Sequence, residues 1–340
     1  MPRPVVPSRV GVVTTRRPFV DATLINDELD LLLLRMRWLA PHVDHFYVAE
    51  SAETYTGHLK PMHLSENLDM FEEFAGQLTV ITYGGSADRV EWKREEIARD
   101  SLRQAVAELD PRTIVYFSDL DELPSETQIR AMKVIDTPHS VPLDTFYRRA
   151  NWRLECESPI SVARATPVST LPANFTSFRW PEGEASFPDL AGERGGHFSY
   201  LGFTADRLAS KLAAFSHSEF VFAKDAADHL LTVSDALVLD HFGRSRLPGG
   251  GLLTVLASPE WSDLHRWLYA RRPEWFDERR PPNAIWRRIN AAAIDDAMRE
   301  QHLGRLERVG GPSVLREPAT KRVIRSQLGP FKRRLLRQPR

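Results

Sequence analysis

The apolar positions in the first 125 residues fall into two kinds of run. Short, largely apolar ones span residues 20–25, 45–49, 78–83 and 113–117. These predict buried strands. Between them lie longer stretches with helical spacing. Residues 29–38 are apolar nearly all round and predict a buried helix. Asn26 is its expected N-cap, with Asp27, Glu28 and Asp30 in the first turn. Arg35 and Arg37 fall in its last turn and Pro41 ends it. A second helix is predicted over 91–109 from the recurrence of Ala98, Leu102, Ala105, Val106 and Leu109, and Asp110-Pro111 stops it. Residues 118–124 read as a loop, after which Ser125 and Gln128 form a capping box for a third helix.

Strand, helix, strand, strand, helix, strand is the order of an α/β fold with a mostly parallel central sheet flanked by helices. Ligands of such sheets bind beyond the carboxyl ends of the strands. Asn26-Asp27, Glu50-Ser51 and Asp119 with Asp121 all lie at such ends. The second half is less regular. Residues 145–155 and 161–166 predict strands around a turn, and 175–203 a long loop. Residues 204–215 predict a short helix capped by Thr204, and further helical stretches follow near 259–270 and 284–306.

Composition narrows the class. Of 340 residues, 42% are hydrophobic and 27% charged, as in ordinary globular proteins. A formal net charge of -1 argues against a chain that binds nucleic acid by bulk electrostatics. Cys156 is the single cysteine, so no internal disulfide can form. That fits a reducing cytoplasm. The apolar run 31–34 is far below the ~20 residues of a membrane span. The expected location is therefore cytoplasmic. Residues 316–340 carry nine Lys or Arg against one Glu. Such a tail suits either a solvated end or peripheral contact with an anionic membrane face through Phe331, Leu335 and Leu336.

The candidate chemistry centres on Asp119-Leu-Asp121-Glu122. Two carboxylates at i and i+2 just past a buried strand can reach one hard divalent cation, Mn2+ or Mg2+, if the loop turns there. Such an ion offsets the charge that develops on a departing diphosphate. Haloacid-dehalogenase phosphatases also place Asp-x-Asp after a strand, but near the domain start and with Thr or Val where this chain has Leu123. A non-catalytic sugar- or lipid-binding module is the other rival.

Several segments in fixed order resemble glycosyltransferase family 17. They are the seven residues from Asn26, Val43-Asp-His-Phe-Tyr-Val-Ala-Glu-Ser51, and Thr54-Tyr-Thr-Gly57 with Lys60-Pro61. Beyond these come Arg99-Asp100, Phe117-Ser-Asp-Leu-Asp-Glu-Leu-Pro124, Gly195-Gly-His-Phe-Ser-Tyr200 and Phe215-Ser-His-Ser-Glu-Phe220. Animal members of that family include a β-1,4-mannosyl-glycoprotein β-1,4-N-acetylglucosaminyltransferase. The resemblance implies a GT-A-like fold over residues 19–245. It leaves a flexible leader at 1–18, a helical extension at 246–315 and the basic tail. It also implies an inverting transferase using a UDP-sugar, UDP-N-acetylglucosamine by analogy, on a glycan or glycolipid acceptor.

The same resemblance assigns provisional roles. Asp119, Asp121 and His197 are expected to hold the metal. Asn26, Glu50, Arg99 and Asp119 are expected to contact the donor. His217 and His241 are weaker ligand candidates. An inverting reaction needs a general base. Glu193 ranks first for it, followed by Asp189 and Glu219. Trp152 and Trp180 are candidate platforms for an acceptor sugar. Where the family has Gly-Trp-His, this chain has Gly195-Gly196-His197, which alters the expected pocket wall.

Overall fold

The structure is a computed structural model, which describes residues 16–84, 91–154, 160–181, 186–214, 227–238 and 253–279. The strands are β1 (Phe19–Leu24), β2 (His45–Glu50), β3 (Leu78–Thr82), β4 (Ile114–Phe117), β5 (Glu122–Leu123), β6 (His139–Tyr147), β7 (Trp152–Leu154), β8 (Ile160–Pro167), β9 (Gly195–Ser199) and β10 (Leu253–Val255). The helices are α1 (Leu29–Leu39), α2 (Glu91–Val106), α3 (Glu126–Met132), α4 (Phe175–Arg179), α5 (Ala205–Ala214), α6 (Ala227–Leu237) and α7 (Asp263–Tyr269).

Among the described residues the strands form one twisted sheet in the order β10-β7-β6-β8-β4-β1-β2-β3, with β5 and β9 attached beside β6. The N-terminal part is parallel: β1 lies between β2 and β4, and β3 pairs with β2. β8 then runs antiparallel between β4 and β6, so the sheet is mixed. This is the GT-A-like arrangement, with helices on both faces. One face packs α1, α3 and α7 through Leu32, Trp38, Ile129 and Leu268. The other packs α2 and α4 through Ala98, Leu102, Phe175 and Phe178. A smaller core joins β7 and β10 to α5 and α6.

Local chemistry explains most boundaries. Ser125 caps α3 with a full capping box, as the sequence predicts. Ser262 caps α7 through the His265 amide. The expected cap at Asn26 is not formed. Glu28 occupies the N-cap of α1, and its carboxylate instead accepts from the Asn26 and Asp27 amides at 3.3 and 3.2 Å. Residues 65–74 form a 3-10 segment that the hydrophobic pattern does not signal.

Three other expectations change. The single strand over 145–155 is two, β6 and β7, because Arg148 turns at φ 62°. Residues 175–203 are not one loop but contain α4, capped by Asn174, and β9. The loop 118–124 contains β5, which pairs with β9. Cys156, His217, Glu219, His241, the stretch 284–306 and the basic tail lie outside the described residues.

Candidate active site

The strand ends that the sequence marks do meet, and Arg35 shapes the loop between them. Its side chain is fully buried beneath β1 and β4 and pairs two-pronged with Asp21, at 2.9 and 2.7 Å. The same guanidinium donates to the carbonyls of Asp119, Leu120 and Glu122 at 2.9, 3.3 and 2.9 Å, and to Ser118 Oγ at 2.7 Å. Arg35 thus serves as a mould for the loop after β4. Burial would lower the pKa of the Arg35 guanidinium, but the neighbouring Asp21 outweighs this and raises it, so Arg35 stays charged. Burying such a pair costs desolvation, so its value is in specifying one geometry rather than in net stability.

Within this loop the two aspartates face different partners. Asp119 Oδ2 accepts from Arg179 Nη2 at 2.6 Å, and its Oδ1 lies 3.9 Å from Arg99. Arg179, from α4, also grips fully buried Glu122 through both of its oxygens at 2.8 and 2.7 Å. Asp121 turns the other way, to His197 Nε2 at 3.6 Å. The Phe198 amide donates to the Asp121 carbonyl at 2.8 Å, and Glu122 is in register with His197 across β5 and β9. That pairing is what places a histidine from far along the chain beside the acidic loop. It requires Gly195, where a Cβ would stand 2.0 Å from the Leu123 carbonyl oxygen. At Gly196 a Cβ would strike the Phe198 ring at 2.4 Å, so that ring occupies the wall a larger residue would form.

The geometry tests the proposed metal donors. Asp121 and His197 fit. Two donors cis on an octahedral ion with bonds of about 2.1 Å stand roughly 3 Å apart, close to the separation seen. His197 Nδ1 is buried without a hydrogen-bond partner, and Nε2 lies 3.1 Å from Ser199 Oγ. Asp119, the third expected donor, has Oδ2 bonded to Arg179 at 2.6 Å, and its Oδ1 lies 3.9 Å from Arg99. No three His, Cys, Asp or Glu side chains converge among the described residues. A cation here would rely on substrate oxygens and water for its other positions, as Mg2+ sites commonly do.

Other assigned residues divide. Arg99 is buried and turned to the site, held by Glu95 at 2.5 Å. Asn26 sits at the edge, where its carbonyl accepts from Lys60 Nζ at 3.0 Å. Glu50 is not available as expected. Both its oxygens are consumed by the Leu64 and Ser65 amides and the Ser65 hydroxyl, at 2.7 to 3.0 Å, and cap the 65–74 segment. Glu193 is exposed beside the first turn of α3, where its carbonyl accepts from Ser125 Oγ at 2.5 Å. Asp189 is exposed and bridges Ser140 at the start of β6. Neither carboxylate is brought to Asp121. Trp152 lies wholly in the core, whereas Trp180, next to Arg179, is 54% exposed.

The structure adds residues that sequence reasoning missed: Arg35, Glu122, Arg179, Glu28 and Lys211. Lys211, from α5, approaches Glu28 Oε1 at 3.5 Å. Arg35 reads as an ordinary last-turn cation. Arg179 and Lys211 sit in no motif, so only tertiary contact reveals them.

The sequence model of glycosyltransferase family 17 matches residues 10–234, well over half of the chain. The chain belongs to glycosyltransferase family 17. It follows that the protein is a glycosyltransferase with sugar donor and acceptor substrates. A search of curated proteins returns no match. No helix among the described residues is long and apolar enough to cross a membrane.

Proposed function

We propose that this family 17 enzyme transfers N-acetylglucosamine from UDP-N-acetylglucosamine, with inversion, to a glycan or glycolipid acceptor. The observation that carries the reading is the pairing of Asp121 with His197 at the carboxyl edge of the parallel strands. In this reading Asp121 and His197 hold Mn2+ or Mg2+, which when bound offsets charge on the departing nucleoside diphosphate.

The chain's own residues do the rest. Arg179 neutralises Asp119 and Glu122 together, so the acidic loop keeps one shape without a cation. Arg35 fixes the backbone that presents Asp121. Arg99, beside Asp119, adds positive charge on the donor side of the loop.

The deciding experiment measures Mn2+-dependent release of UDP from UDP-N-acetylglucosamine by wild type and Asp121→Ala. Turnover should fall by roughly 10²–10³-fold or more, with the circular-dichroism spectrum unchanged. Full activity in the folded variant refutes the site.

A further inference from the structure

Lys211 has a role that neither the acidic loop nor the metal pair supplies. Its ammonium stands over the rings of Tyr200 and Phe203 at 5.2 and 5.3 Å, a cation–π cradle that fixes its direction. Tyr200 follows β9 three residues after His197 and holds φ 57°. That conformation is uncommon for a bulky residue and persists where surroundings over-determine it. The charge of Lys211 acts on Asp121, while Glu28, Asp121 and Asp27 act on Lys211 in return. Lys211 reaches the β1 end through Glu28, whose carboxylate accepts from the Asn26 and Asp27 amides. The Thr56 hydroxyl donates to the Ala213 carbonyl at 3.0 Å, tying the last turn of α5 to the loop after β2. The helix thus packs beside the carboxyl ends of β1 and β2.

Three neighbouring cations are committed elsewhere. Arg179 is locked to Asp119 and Glu122, Arg99 to Glu95, and Lys60 donates to the Asn26 carbonyl. Lys211 makes an ion contact at 3.5 Å with Glu28, longer than a strong charge-assisted bond. A compact ammonium on a flexible stem can exchange such a contact for a phosphate oxygen. The geometry points to Lys211 as the residue that recognises the terminal phosphate of a nucleoside diphosphate. It would leave Glu28 when the nucleotide enters. This rests on the transferase reading above and names the part of the donor that α5 reads.

The test is calorimetric titration of the full chain with Mn2+ present, using UDP against UMP and GDP against GMP. Wild type should prefer a diphosphate. In K211M that diphosphate should weaken about tenfold or more, the scale of one charged contact, with the monophosphate changing less than about twofold. K211Q, which keeps a polar end, is measured beside it, and both are first shown to melt cooperatively. Equal losses for both nucleotides, or none, overturn the role of Lys211 and leave the transferase standing. A wild type that binds no nucleotide of either pair removes the donor site itself, and this inference with it.

Discussion

The two halves of the sheet contribute to the site by different physics. In the parallel half, β1 to β4, each strand is short and largely apolar, and β1 lies between β2 and β4. Its polar residues collect at one edge because every strand points the same way. In the second half β8 reverses direction, and β9 is carried back to lie between β6 and β5. There a functional residue is placed by register, not by strand polarity. The acidic loop belongs to the first half, His197 to the second, and two contacts join the halves: Arg179 of α4 on Asp119 and Glu122, and the β5–β9 pairing. The comparison teaches that the clustering of polar strand ends is inherited from topology, while the meeting of Asp121 and His197 depends on a two-residue strand.

Breaking the first half should have the largest effect. Arg35→Ala leaves Asp21 buried without its partner and removes the donors to three loop carbonyls. The expected loss is about 3–5 kcal/mol of unfolding free energy, read from denaturant melts. A loss below about 1 kcal/mol contradicts the moulding role. Arg35→Met removes the charge while keeping bulk, yet still strands Asp21; only the double change with Asp21→Leu should recover stability. Such recovery without recovery of UDP release would separate packing from loop shape.

Breaking the second half should cost less in stability. Gly195→Ala pushes a methyl into the Leu123 carbonyl and Pro124 backbone. Overpacking of this kind costs about 1–3 kcal/mol. The sharper readout is functional: as β9 moves off β5, Mn2+-dependent stabilisation by UDP should vanish while the parallel half stays folded. A variant with wild-type metal dependence shows that β9 is not what positions His197.

The smallest expected effect is on pH dependence. Burial pushes His197 down, but Asp121 beside it outweighs that, so its pKa lies above the ordinary 6.5. Asp121, which burial would raise, is held well below the usual carboxylate range by His197. The protonated histidine therefore stabilises the native state fully below pH 6.5, and this is lost as pH rises through its raised value. Asp121 contributes above its ordinary 3.8, and that is lost as pH falls toward its depressed value. A metal needs the neutral imidazole. Apparent Mn2+ affinity should rise with pH, by up to about tenfold per unit for one released proton, and level off once pH passes the raised pKa of His197. His197→Gln should flatten the profile; a flat profile in wild type removes His197 from the metal.

The sequence by itself determined the parallel half, the acidic loop and its capped helix. Short, largely apolar runs, helical spacing and caps are local signals, and strand polarity converts them into a single edge. It also determined family membership, because the ordered segments survive as a pattern. Only the tertiary structure decided which polar residues serve the site. Glu50 at a strand end proved to be a cap for the 65–74 segment, and Glu193 a neighbour of α3. Trp152 and Trp180 look alike in sequence, yet one is core and the other exposed. Arg35, Arg179 and Lys211 gained their meaning from partners 14 to 183 positions away. Desolvation makes unpaired charge in the interior costly, so buried carboxylates such as Asp21 and Glu122 are matched to Arg35 and Arg179 by proximity in space, and that matching leaves no periodic trace along the chain.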